Sequence, residues 1–346
     1  MTTRHLAFID WMKAVGLALI VWVHVAGGTA QTWTPPFYAK QLGVTFFVFV
    51  TGYTLARETR RGLWVVVHRY LDVWSWGVLF ALLTGLVGLA TRGRPDPSNL
   101  LPLAGGLHLL ANNFPANPTT WYIGTYLHLL VLWVVALRGR TVTWPFVAAI
   151  TLLEIGVRAA LAPTAGLFVA YMLVTNWMAV FLLGLLAGQR HWRPSGRWAL
   201  PSVAFLALWP MVMAQVPWTR TFPFMTLPDL PVTMGALLLS TSVSVAYLAY
   251  TAAGFALLSQ LPAWAPVRFV ARNTVVVFIA HMPLYYLCEW WLLPRVPDYA
   301  VRVTVEFLLG LVGLAVLSEG LQRMLPVGRL RALMEARVAT SEQGAR

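Results

Sequence analysis

The sequence predicts an all-α integral membrane protein of about ten transmembrane helices with both termini cytoplasmic. Three observations predict it: a scarcity of charge, apolar segments of near-spanning length from end to end, and a lopsided distribution of Lys and Arg between alternate loops. Only 11% of the 346 residues are charged and 59% are hydrophobic, with a mean hydropathy of +0.69. A soluble domain carries about 25% charged residues. Such a chain cannot cover a water-facing surface with polar groups, so its length is spent on bilayer spans of about 20 residues each.

Ten apolar segments can be drawn: 12–29, 42–57, 73–90, 121–137, 142–161, 167–188, 198–214, 232–258, 269–293 and 300–320. The stretch 100–112 is apolar but too short to span, and Asn112 and Asn113 at its end suggest an interfacial or re-entrant helix. Residues 1–338 read as one membrane domain and 339–346 as a disordered cytoplasmic tail. With the N-terminus inside, 18 of the 25 Lys and Arg fall on the cytoplasmic face and seven on the other, among them Arg158 and Arg302. Basic residues accumulate on the cytoplasmic side, so this bias supports both the orientation and an even span count. The longest loops, 91–120 and 215–231, fall on the far face.

The net charge of +13 would suggest nucleic acid in a soluble protein. In short loops between apolar segments it reflects topology, so no nucleic-acid partner is expected. Cys288 is the only cysteine, which excludes an intramolecular disulfide and a multi-cysteine zinc site, and no metal site is expected. The first segment imitates a signal peptide, but a histidine inside its apolar run favours a retained span.

That histidine, His24, is the most informative residue, because ionisable groups in a span are costly and face a protein interior or a wet cavity. Lys13 lies eleven residues earlier, about 16 Å along a helix axis and within about 20° of the same face. A cation at the membrane edge and an imidazole farther along one stripe suit a long anionic donor. Asp10 can pair with Lys13 at i,i+3 and orient the ammonium, although a snorkelling pair reads equally well. After the second segment, Arg57, Arg60, Arg61 and Arg69 supply enough positive charge for a phosphate-rich donor, while positive-inside bias alone would place several of them there. Arg69 stands out, since it precedes Asp72 by one turn where a span begins. His281, followed by Pro283, either lines a cavity or packs by bonding a carbonyl freed by the proline. Glu154, Glu289 and Glu306 read as partners of Arg158 or Arg302 rather than catalysts.

These residues carry a resemblance to the acyltransferase 3 family of bacterial membrane proteins. FIDWMKAVGLALIVWVHVAG, with Asp10, Lys13 and His24, is similar to the family's opening span, with Lys where Arg is more usual. TFFVFVTGYTLARE resembles its second-span signature, with Thr51 in place of Ser before Gly52 and Tyr53. HRYLDVW, containing Arg69 and Asp72, and the segment led by Trp121 fit as well. So does VRFVARNTVVVFIAHMPLYY through Arg272, Asn273, His281 and Pro283, departing at Ala271 and Thr274, while Glu319 falls where a Glu often closes the last span.

The resemblance implies a multi-pass enzyme of the bacterial cytoplasmic membrane with no permanently bound cofactor. It would move an acyl group, acetyl or another short acyl, from cytoplasmic acyl-CoA to a hydroxyl of a carbohydrate or lipid-linked envelope acceptor. Lys13, Arg57, Arg60, Arg61 and Arg69 would receive the CoA phosphates. His24, with Asp10 in support, would act as general base, with a transient acyl-histidine as the alternative. Thr51, Gly52, Tyr53, Asp72, Trp121, Asn273, His281 and Glu319 would line or brace the cavity. The rival from another class is a proton-coupled secondary transporter of a small polar solute, which would have no use for acyl-CoA.

Overall fold

The computed structural model describes residues 6–27, 39–60, 62–214, 231–292, 294–325, 327–329 and 331–334. Arg61, the loop 215–230 and the tail 339–346 lie outside them. Among the described residues every regular element is helical: α1 (Ala7–Gly27), α2 (Ala39–Leu55), α3 (Trp64–Arg92), α4 (Leu107–Leu110), α5 (Trp121–Leu132), α6 (Trp144–Thr164) and α7 (Leu167–Met172), then α8 (Met178–Gln189), α9 (Ala199–Ala214), α10 (Val232–Leu258), α11 (Ala265–Arg272), α12 (Thr274–Trp291), α13 (Tyr299–Leu308) and α14 (Leu314–Met324). Without water, backbone polar groups must be satisfied within the segment, which is what a helix does.

The described residues of the ten apolar segments are largely helical. Among the described residues six helical stretches are long and apolar enough to cross a bilayer, and the bent pair α11–α12 makes up to seven. Gln41–Leu55 and Val174–Gln189 are apolar but shorter. The sixth segment is interrupted: α7 ends at Met172, and a turn at Val174–Trp177 precedes α8. Asn176 Nδ2 donates to the Tyr171 carbonyl (2.6 Å), which satisfies a group that the break would leave bare. α3 starts at Trp64, nine residues before the expected edge at 73, so Arg69 and Asp72 sit on helix. The stretch 100–112 is a tight turn of helix at Pro97–Leu103 followed by the single turn α4, too short to span.

Glycines set the scaffold for α1. A Cβ at Gly16 or Gly43 would collide with the other's carbonyl, so α1 and α2 touch backbone to backbone. On its other side α2 meets α8 in the same way, through Gly52 against the Phe181 carbonyl and Gly184 and Gly188 against those of Phe49 and Tyr53. Helices in lipid gain no hydrophobic force from association, so close van der Waals approach through small residues is what holds them. Gly52 is therefore explained by packing.

Two arginines assigned by the charge count to far-side loops are buried within helices. Arg158 is 1% exposed on α6, paired with Glu154 and donating to the Ser240 carbonyl (2.6 Å) and Ser244 Oγ (3.1 Å). Glu154 also accepts from the Ala179 amide (2.9 Å), so this pair ties α6 to α8 and α10. Arg302 is buried on α13. A buried arginine answers to its partners and reports no membrane side; of the other five far-side charges, Lys40 and Arg92 lie at helix ends, Arg94 and Arg295 lie between helices, and Arg220 falls outside the described residues.

Candidate active site

α1 carries Lys13 and His24 into two different cavities that meet at one side chain. His24 lines a chamber of about 260 Å³ walled by Phe114, Trp121, Phe168, Met172 and Phe278, with Gln41 as a polar member. Lys13 lines a second cavity of about 250 Å³ with Thr51, Arg69, Asp72, Tyr122 and Arg272. Phe278 of α12 belongs to both walls, edge-on to Tyr122 with ring centres 5.7 Å apart. The start of α5 is shared in the same way, Trp121 facing the chamber and Tyr122 the basic cavity.

His24 is hydrogen-bonded to His281, Nδ1 to Nε2 at 2.8 Å, and His281 Nδ1 lies 3.1 Å from the Val277 carbonyl. The carbonyl can only accept, so His281 Nδ1 carries a proton and its Nε2 presents a lone pair. When both rings are neutral, His24 Nδ1 then donates and its Nε2 is the nitrogen that carries no proton. The chain Val277–His281–His24 thus selects the tautomer a general base needs.

The proline four residues after Ile279 leaves one carbonyl of α12 without its helical donor. Pro283 has no amide hydrogen, so the Ile279 carbonyl loses its helical donor. Asn117 Nδ2 fills the vacancy at 2.8 Å, while Asn117 Oδ1 accepts from Thr119 Oγ1 (2.7 Å) and holds the turn leading into α5. The freed carbonyl therefore belongs to Asn117, whereas His281 bonds Val277. The expectation that a packing His281 would take the freed carbonyl is corrected on this point.

α12 begins at a 72° bend from α11. Asn273 sits at the bend, fully buried, donating to the Phe269 carbonyl (2.9 Å) and Glu319 Oε1 (2.8 Å) and accepting from Gln322 Nε2 (2.9 Å). Arg272 Nε bonds the same Glu319 oxygen at 2.7 Å. Asn273 and Glu319, far apart in sequence, thus brace one joint.

The arginines grouped by the sequence divide in space. Arg69 donates to Glu58 Oε2 (2.9 Å), Thr54 Oγ1 (2.9 Å) and the Thr54 carbonyl (3.3 Å), and lines the Lys13 cavity. Arg60 bonds Glu58 Oε1 at 3.1 Å, whereas Arg57 lies over the Tyr53 ring (4.7 Å) and beside His191 Nδ1 (2.9 Å). Arg57 and Arg60 are engaged there and do not wall the Lys13 cavity. Burial raises the Glu58 carboxyl, but the Arg60 amide and the Arg69 guanidinium outweigh it and hold the group below its ordinary value. Asp10 was grouped with His24, yet its carboxylate lies 3.8 Å from Arg268, fourteen residues and about 21 Å of helix rise from the imidazole. It belongs to the basic end. Thr51 Oγ1 donates to the Phe47 carbonyl (2.8 Å), Tyr53 is fully buried beside Phe8, and Asp72 is paired with Arg331 at 2.6 Å.

Glu58, Asn117, Phe278, Arg329 and Arg331 were not singled out from sequence. Asn117 was findable from the proline, since Pro283 implies a bare carbonyl that some donor must meet. Glu58 had a signal too, as the carboxylate inside the run Arg57, Arg60, Arg61.

Nothing among the described residues groups three or more His, Cys, Asp or Glu as a metal site. What remains is a multi-pass helical membrane protein with a histidine pair at an aromatic chamber beside a basic cavity. The acyltransferase 3 family model, described as an acyltransferase domain, matches residues 6–318, nearly the whole chain. The chain belongs to this family and is a membrane acyltransferase. No curated protein and no solved structure matches it.

Proposed function

We propose that this acyltransferase moves an acyl group, acetyl or another short acyl, from acyl-CoA to a hydroxyl of a carbohydrate or lipid-linked envelope acceptor. The observation that carries the reading is the His24–His281–Val277 chain, which with both rings neutral leaves His24 Nε2 ready to accept a proton in a chamber adjoining a basic cavity. The donor's anionic end lies at Lys13 and Arg69, and its arm passes Phe278. The acceptor lies against the aromatic rings of the chamber, which suit the apolar face of a sugar.

His24 Nε2 takes the proton of the acceptor hydroxyl as its oxygen attacks the thioester carbonyl. The tetrahedral adduct collapses with cleavage of the carbon–sulfur bond, the imidazolium returns the proton to the departing thiolate, and ester and free thiol result. His281 shares the positive charge that develops on His24, because its Nε2 already accepts from His24 Nδ1. In this reading the chain has ten spans, the basic end is cytoplasmic, and the enzyme sits in a bacterial inner membrane. Reporter fusions at Arg190 and Trp218 should report opposite sides.

The test is acylation of envelope glycans, measured by mass spectrometry in cells holding matched amounts of folded wild-type or His24→Ala protein. General-base catalysis contributes about 10²- to 10⁴-fold, so acylation should collapse while acyl-CoA binding by the purified variant persists. Near wild-type acylation would end the assignment, and a wild-type protein that does not bind acyl-CoA would favour transport.

A further inference from the structure

A third cavity, of about 380 Å³, adjoins the Lys13 cavity: Asp72, Arg272 and Val275 line both. Its other walls include Asn273, Gln322, Arg329 and Arg331. Arg329 and Arg331 follow α14 and reach this cavity because Arg331 is tethered to Asp72 of α3 at 2.6 Å. The three cavities therefore form a row, from the arginine-lined mouth, through the Lys13 and Arg69 cavity, to the His24 chamber.

Charge decides what the mouth can hold. Its arginines face two carboxylates, each already engaged: Asp72 by Arg331, and Glu319 by Arg272 at 2.7 Å. Among the described residues no carboxylate pairs with Arg329, so the mouth keeps a positive excess, to which Lys13 and Arg69 add from the next cavity. Guanidinium groups bind phosphate in a bidentate fashion. Distance decides how the ligand is laid out. Thr274, at the inner edge of the bend, is seven residues from His281, about 10 Å along α12. An anion at the mouth thus needs a long uncharged arm to bring its reactive end to the histidines.

We propose that Arg272, Arg329 and Arg331 seat the phosphorylated nucleotide end of the acyl donor, with Lys13 and Arg69 holding its inner phosphates where the arm begins and the run Arg57, Arg60 outside the seat. This rests on the acyl-CoA reading above. The seat recognises phosphate groups on a nucleotide, and the segment after the last long helix completes it.

Equilibrium binding of CoA, 3′-dephospho-CoA and pantetheine to the full-length protein in lipid nanodiscs tests this without knowledge of acyl group or acceptor. Wild type should bind CoA most tightly and pantetheine least, with a preference that shrinks as salt rises. Arg329→Ala should cut the CoA-to-pantetheine affinity ratio about tenfold, and Arg331→Lys, which keeps the charge and the tether to Asp72, should cut it less. An unchanged ratio in Arg329→Ala, or an equal loss for all three ligands, overturns the seat while leaving the donor reading intact. Wild-type protein that binds neither CoA nor pantetheine overturns both.

Discussion

The two cavities that share Phe278 are nearly equal in volume, about 260 and 250 Å³, and opposite in chemistry. The His24 chamber is aromatic, and its histidine is bonded to His281, which is itself fixed by the Val277 carbonyl. The Lys13 cavity is walled by charged groups, including Lys13, Arg69, Asp72 and Arg272. A base that must accept a proton is weakened by a cation in contact, and a seat for phosphate needs cations. Eleven residues of α1 keep the two apart while one helix fixes their alignment. The difference teaches that, under the proposed function, binding and proton transfer fall to separate cavities, and substitutions should divide accordingly.

The largest effect should come from the chamber. His281→Phe removes the acceptor that selects the His24 tautomer, and kcat should fall on the order of 10²-fold with donor binding little changed. The pH–rate profile should also move, because His24 loses the partner that shares its charge. A variant with normal kcat and an unmoved profile would reduce His281 to packing.

On the basic side, Lys13→Ala should raise the donor Kd about tenfold, about 1.4 kcal/mol, while Lys13→Arg keeps most of the affinity because the charge remains. A fall in kcat without a change in Kd would erase the division between the cavities. Smaller still, Arg57→Ala and Arg60→Ala should alter donor affinity less than Arg69→Ala, since their guanidiniums are engaged by Tyr53, His191 and Glu58. Titration of CoA against the three variants checks the order.

The smallest effect is on stability. Glu58 is held below its ordinary pKa, so its contribution is fully present above that ordinary value and is lost as pH falls through the depressed native one. Glu58→Gln should therefore flatten the acid limb of Tm against pH. An unchanged limb would remove Glu58 as the anchor of Arg69.

The opening motif already separated these roles, because Lys13 and His24 are eleven residues apart on an apolar helix and periodicity fixes both their distance and their face. The arginine run was misleading as a unit for a physical reason. Spacing shows that Arg57, Arg60 and Arg69 lie near one membrane edge, but their direction depends on Glu58, Tyr53 and His191, and only folding brings His191 there.

Composition and periodicity by themselves determined that the chain is helical and membrane-embedded, since backbone satisfaction in lipid leaves so apolar a sequence few alternatives. They also determined that His24 is special, because an ionisable group in a span needs a reason. Tertiary structure alone decided which histidine partners it. His24 and His281 are 257 residues apart, and their 2.8 Å contact depends on α1 and α12 packing side by side. It also decided that Arg329 and Arg331, which read as ordinary charges after the last long helix, line the mouth of the cavity row. A contact between distant segments depends on how helices pack, and local spacing carries no record of that.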